Sequence, residues 1–266
     1  MDTALLAFDI DGLEKDRLVR PFEARRWMQA LDGVLSRILS NLGRVSSCFS
    51  GETSSDPANP MPPLLLLPIA YDARYARMDQ VLVHAPGGFD ESFIMALHNV
   101  RQVAVREWAS VLTVLVDIGH KEEFLQKVEH FGISNVWQSV TPCLLFEARK
   151  SPSFGDLEPV LRSELAARGF PWYSRVEIAL EPGRFASLEE LRKTEDEEAT
   201  RQFLSSVWDV NLDADEWMFG LRLYFDEPVR GPMVLGVGGR HGMGQFLPAP
   251  TNTGLPVPHA DGEVRR

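Results

Sequence analysis

Apolar residues along the chain recur with two periods, and the switches between them mark out the elements. Residues 4–10 form a short apolar run that reads as a strand, ended by Gly12. Pro21 suits the first turn of a helix, where its missing N–H would have no intrahelical partner. From there Trp27, Ala30, Leu31, Val34, Leu35, Ile38 and Leu39 recur at helical spacing and predict an apolar face running to about residue 40. Residues 43–62, rich in Gly, Ser, Asn and Pro, read as a long loop. Residues 64–69 are a continuous apolar strand. A connection with Arg74, Tyr75 and Arg77 leads to a second strand over 80–85, ended by Pro86, Gly87 and Gly88. Asp90 is expected to cap a helix reaching about residue 103, and 111–118 is a strand rich in β-branched residues.

The second half repeats this order loosely. Residues 140–146 read as a strand interrupted by Pro142, 156–168 as a helix stopped by Gly169, and 176–180 as a strand. An acidic helical stretch follows, with Leu188, Leu191, Phe203, Leu204 and Val207 at helical spacing. Strands are then expected at 218–225 and 233–237. A β-α-β-β-α-β order is one ferredoxin-like unit. The expected fold is therefore α+β: two tandem ferredoxin-like, RRM-like domains, the second with a helical insertion and a C-terminal glycine-rich loop in place of its last helix. The expected boundaries are 1–120 for the first domain, 121–138 for a linker and 139–248 for the second domain. The insertion falls at about 185–216, the loop at 236–246 and a disordered tail at 249–266.

Charge alters this picture in one place. The net charge of −11 argues against a nucleic-acid partner at first sight. Between positions 188 and 216, however, ten acidic residues face three basic ones, leaving about −4 for the rest of the chain. The total neither supports nor excludes RNA. Cys48 and Cys143 lie far apart without metal-ligand spacing, and no apolar run approaches a membrane span. The N-terminus lacks the basic region of a signal peptide. A cytoplasmic protein without structural disulfides, metal or cofactor is expected.

The stretch richest in chemistry is the loop. Gly236, Gly238, Gly239, Gly242 and Gly244 fall within nine residues, with Arg240 and His241 at their centre. Glycines permit positive φ and close approach, and successive exposed N–H groups can cradle a phosphate. The loop lacks the lysine of a nucleoside-triphosphate loop. It also lacks the third glycine and following helix of a dinucleotide fingerprint, since Pro248 and Pro250 follow. A glycine-rich hairpin with a bulge explains the same residues without any ligand. On the first helix Arg26 and Arg37 are eleven residues apart and share an azimuth, and Arg44 would continue that stripe. The stripe reads either as a solvated face or as a basic edge for RNA.

These pieces together resemble a known family. The loop, from Leu235 through the glycines to Phe246, fits the late glycine-rich loop of CRISPR-associated RAMP proteins that cleave repeat RNA. The lead from Phe225 through Pro228, Val229 and Gly231 to Pro232 resembles the fused type I subunit whose second half processes RNA. Residues 137–142, 168–171 and 78–90 add matches in the same order. The resemblance spans most of residues 20–248 and also fits the stand-alone processing protein of type IV systems. One departure stands out. The related type I subunits carry histidines before the second strand and just before the third, where this chain has Pro62, Pro63 and Gln80.

The resemblance implies metal-independent cleavage, in which the ribose 2′-hydroxyl attacks the adjacent phosphate and leaves a 2′,3′-cyclic phosphate. It implies a repeat-RNA hairpin as partner, retention of the 3′ hairpin, and other effector-complex subunits as neighbours. The candidate catalytic residues are His241 for proton transfer, Arg240 for charge stabilisation, and Arg25 and Arg26 to complete the site. RNA contacts are expected from Gly236, Gly238, Gly239, Arg240, Gly242, Gly244, Arg37 and Arg44. His84 reads as structural, and His98, His120, His130 and His259 carry no catalytic expectation. Two other readings remain at this point: a non-cleaving RNA-binding subunit of the same fold, and an acidic protein–protein adaptor.

Overall fold

A computed structural model describes residues 1–9, 21–46, 48, 64–72, 77–106, 109–145, 154–181, 184–192 and 218–249. Strand β1 (Thr3–Asp9) leads to helix α1 (Pro21–Asn41), β2 (Leu65–Asp72), β3 (Arg77–His84), α2 (Glu91–Asn99), β4 (Gln102–Arg106) and β5 (Ala109–Gly119). The strands form one antiparallel sheet in the order β2-β3-β1-β5-β4. With β5 as the fourth strand of the unit, this is the fourth-first-third-second order of a ferredoxin-like sheet, and β4 adds a hairpin edge. Trp27, Leu31, Leu35 and Leu39 of α1 are buried, as the helical spacing predicts, and Met28 is buried with them. They pack with Leu6, Phe8, Val81 and Val83 of the sheet and Phe93 and Leu97 of α2. Asp90 caps α2 by accepting from the Phe93 N–H at 2.8 Å.

The apolar run at Leu64–Leu67 is continuous because β2 is covered on both faces. Leu64 and Leu66 face the helices. Leu65 and Leu67, with Leu82, pack against Phe124, Val128 and Phe131 of the connection and against Val234 of the second half. This second cluster joins the halves.

The second half contains β6 (Ile133–Ser139), β7 (Cys143–Leu144), α4 (Phe154–Ala167), β8 (Arg175–Glu181), β9 (Arg184–Ser187) and α5 (Leu188–Arg192). It continues with β10 (Met218–Phe219), β11 (Leu221–Arg230), β12 (Met233–Val234) and β13 (Gln245–Pro248). Its main sheet runs β12-β13-β6-β11-β8-β9. Taking β13 as the fourth strand, β6 as the first, β11 as the third and β8 as the second, the ferredoxin-like order recurs. The molecule is thus α+β with two ferredoxin-like sheets, and the loop between β12 and β13 stands where the second helix of the unit would be.

Several expected boundaries are corrected. The stretch 121–138, read as a linker, carries α3 (Lys121–Phe124), a 3-10 turn (Glu129–Phe131) and nearly all of β6, the central strand of the second sheet. The apolar run at 140–146 yields only the two-residue β7, because Pro142 has no N–H to give a ladder. The helix expected to reach residue 103 stops at Asn99, where Val100 turns extended and the chain enters β4. Strand β11 runs through Pro228 to Arg230, and its pairing with β6 skips between Tyr224 and Val229 to absorb the proline. Strands β9 and β13 were not anticipated. Most of the acidic insertion (193–217), most of the long loop at 43–62, Pro62, Pro63 and the tail from 250 lie outside the described residues. Cys48 and Cys143 are buried free thiols. Among the described residues no helix is long and apolar enough to cross a membrane.

Candidate functional site

The path of the glycine loop is set by its own main chain, by the main chain at Pro142 and β7, and by α4. Leu235 N–H donates to the Gly244 carbonyl, Gly244 N–H to Pro142 and Val237 N–H to Leu144, at 2.7–2.9 Å. From α4, Glu164 accepts from the Gly236 N–H at 2.9 Å, and Arg168 donates to the Gly236 carbonyl at 3.2 Å while pairing with Glu164 at 2.9 Å. The chain then makes a 3-10 turn at Gly239–His241, with the His241 and Met243 N–H groups donating to the Gly238 carbonyl and the Gly242 N–H to that of Gly239.

Glycine is required here by sterics. Gly244 lies at φ +59, and a Cβ there would come 1.8 Å from the Leu235 carbonyl oxygen. At Gly242, φ +79, a Cβ would come 2.5 Å from Pro68 Cδ of β2. The absence of side chains lets the loop lie flat against the first half. A consequence is that the expected cradle of successive free N–H groups does not form along the whole loop. The N–H groups of Gly236, Val237, His241, Gly242, Met243 and Gly244 are engaged within the protein. Those of Gly238 and Gly239 make no hydrogen bond among the described residues. Positive charge at this site comes mainly from side chains.

Those side chains converge on α1. Arg240 Nη2 donates to Asp32 Oδ1 at 2.8 Å, and His241 Nε2 donates to Asp32 Oδ2 at 3.0 Å. All three side chains remain about one-fifth exposed (Arg240 21%, His241 21%, Asp32 20%), so the cluster is reachable from solvent. Burial pushes the Asp32 carboxyl up. The hydrogen bond from His241 and the charge of Arg240 outweigh that push and hold it below its ordinary value. Arg25 lies seven residues before Asp32, on nearly the same helix azimuth. Its Nε is buried without a hydrogen bond, and it lies 3.8 Å from where a Cβ on Gly238 would be.

The structure therefore brings Arg240 and His241 together on Asp32 and sets Arg25 beside the loop at Gly238. It does not bring Arg26, Arg37 or Arg44 to this cluster. Arg26 and Arg37 are exposed on α1, each more than about 100° around the axis from Asp32. Arg44 lies past the end of α1 and reaches Ser92 Oγ at 3.4 Å. Asp32 was not singled out from the sequence, and neither were Glu164 and Arg168 as holders of the loop. Nothing local marks Asp32, although its seven-residue spacing from Arg25 places both on one face. Arg168 was visible only as part of the 168–171 match.

Two of the other histidines, His84 and His130, have structural settings. His84 contacts Thr3 Oγ1 at 3.0 Å, and burial pushes its pKa down to about 4. His130 is fully buried against Gln245 and is likewise pushed down to about 4. His98 is exposed in the last turn of α2, and His120 precedes α3, 4.0 Å from Asp2. His259 lies outside the described residues.

The cluster holds a guanidinium and an imidazole on one carboxylate, with the side chain of Arg25 beside the same loop. No protein-family model matches this chain, and no curated protein does. Among solved structures, the "Crystal structure of CRISPR RNA processing endoribonuclease Cas6b" superposes with a TM-score of 0.36 at 12% identity, covering 93% of this chain and 99% of that one. A likeness at that level decides neither fold nor function.

Proposed function

We propose that the protein is a metal-independent endoribonuclease that cuts CRISPR precursor RNA within the repeat and then holds the 3′ hairpin of the product as an effector-complex subunit. The observation that carries this reading is the meeting of Arg240 and His241 on Asp32, beside Arg25, at a seam where Arg240 and His241 stay about one-fifth exposed, in a loop that resembles that of the RNA-processing family. In the reaction the ribose 2′-hydroxyl gives its proton to the imidazole and its oxygen attacks the adjacent phosphorus. The P–O5′ bond breaks, leaving a 2′,3′-cyclic phosphate, and the 5′ oxygen leaves with a proton from water. Arg240 and Arg25 stabilise the charge that builds on the phosphoryl oxygens. Arg26, Arg37 and Arg44 lie where they could follow the backbone of a hairpin along α1, which is recognised by shape and phosphates.

The test is labelled repeat RNA incubated with the purified full-length protein in EDTA. Cleavage is expected to persist and to leave cyclic-phosphate ends. His241→Ala is expected to slow it by about 10²–10⁴-fold. Arg240→Ala is expected to slow it by roughly 10²–10³-fold. Binding without cleavage would instead favour a non-cutting RNA-holding subunit, and absence of RNA affinity would favour a protein adaptor.

A further inference from the structure

Asp32 touches both reactive side chains of the loop, one with each carboxylate oxygen: Arg240 at 2.8 Å and His241 at 3.0 Å. An ionised carboxylate can only accept, so the hydrogen between Asp32 and His241 belongs to the imidazole. In the neutral ring that hydrogen is on Nε2 and the lone pair is on Nδ1. Nδ1 makes no hydrogen bond to any described residue. Resting on the nuclease reading above, we propose that Asp32 is a positioning residue: it fixes His241 in the tautomer whose Nδ1 takes the 2′-hydroxyl proton, steadies the imidazolium that results, and holds Arg240 beside the same phosphate.

The surroundings favour this assignment. Arg25 stands one pair of turns away on α1, and Arg240 adjoins His241 on the loop. The Glu164–Arg168 pair at the end of α4 reaches Gly236, and the Arg168 guanidinium lies 3.7 Å from where a Cβ on Gly239 would be. The β2 residues that meet the loop at Gly242, Pro68 and Leu66, bring no charge. Arg240 and His241 keep the Asp32 carboxyl ionised against its partial burial. An asparagine at position 32 would offer one acceptor in place of two, so His241 and Arg240 would compete for it.

The experiment has two arms on the full-length protein. In the first, long-range 1H–15N correlations are recorded with 15N-histidine label, His241 being assigned by difference with His241→Gln. The neutral ring is expected as the Nε2–H tautomer, and an Nδ1–H tautomer overturns the proposal. In the second, single-turnover cleavage of repeat RNA is followed against pH for wild type, Asp32→Asn and Asp32→Glu. Asp32→Asn is expected to slow cleavage by about 10²-fold without loss of RNA affinity, the scale of a disabled general base. Asp32→Glu should recover part of the rate. A cutting wild type with an unchanged rate in Asp32→Asn removes the role of Asp32 alone. A wild type that binds RNA and never cuts removes the nuclease reading, and this role with it.

Discussion

His130 ties the seam together from the inside. Its imidazole is buried and donates to Gln245 Oε1 at 2.9 Å, while Gln245 Nε2 donates to the Pro68 carbonyl of β2 at 3.3 Å. Burial holds its folded pKa near 4, below the ordinary value of 6.5, and the Gln245 hydrogen bond recovers only part of that shift. The folded state therefore keeps the ring neutral, and the unfolded chain takes up the proton first. The stability tied to the neutral ring is fully present above about pH 6.5 and is lost as pH falls from there through about 4. Urea unfolding at pH 7 and pH 5 should differ by roughly 2 kcal/mol on account of His130. Removing the titration with His130→Gln should flatten that part of the pH dependence. His84, with the same direction and cause, adds to the slope in the same window. From the sequence His84 read as structural, but nothing separated His130 from a surface histidine, because its burial depends on strands far from it in the chain.

At the scale of elements, the connection between the halves is a packed part of the core. Phe131 is 1% exposed, stacks edge-on against His84 with ring centroids 5.2 Å apart, and shares a cluster with Leu65, Leu67 and Val234. Phe131→Ala should cost about 3–5 kcal/mol in chemical unfolding at pH 7, since it empties a site lined by both halves. A cost near zero would mean the halves do not depend on this cluster. Helix α1 was legible because its apolar face, from Trp27 to Leu39, repeats over more than about three turns. Strand β6 was not. Its residues 134, 135 and 138 are polar, Ile133 is 54% exposed, and its pairing partners lie more than eighty residues later. Strand β13 was hidden for a related reason: a four-residue segment between glycines and prolines becomes a strand only because β6 and β12 flank it.

At the scale of the molecule, the −11 net charge and the arginines at the seam make opposite demands on an RNA partner. If the five arginines 25, 26, 37, 44 and 240 each meet a phosphate, binding of repeat RNA should weaken with salt at a log–log slope of roughly −4. Replacing Arg26 and Arg37 together by alanine should lower that slope by about two, with little effect on the cleavage rate of bound RNA. An affinity independent of salt would count against RNA as the partner.

Local pattern determined the first ferredoxin-like unit, the helical face of α1, the cap at Asp90 and the position of the glycine loop. Each depends on residues within a few turns or strands of one another, so periodicity and turn chemistry suffice. The site was decided by tertiary structure. Arg240 and His241 lie more than two hundred residues from Asp32, and the contact exists only because glycines let the loop lie against α1 and β2. The glycines serve close packing, and the side chains of Arg240, His241 and Asp32 meet at the seam and stay partly exposed there.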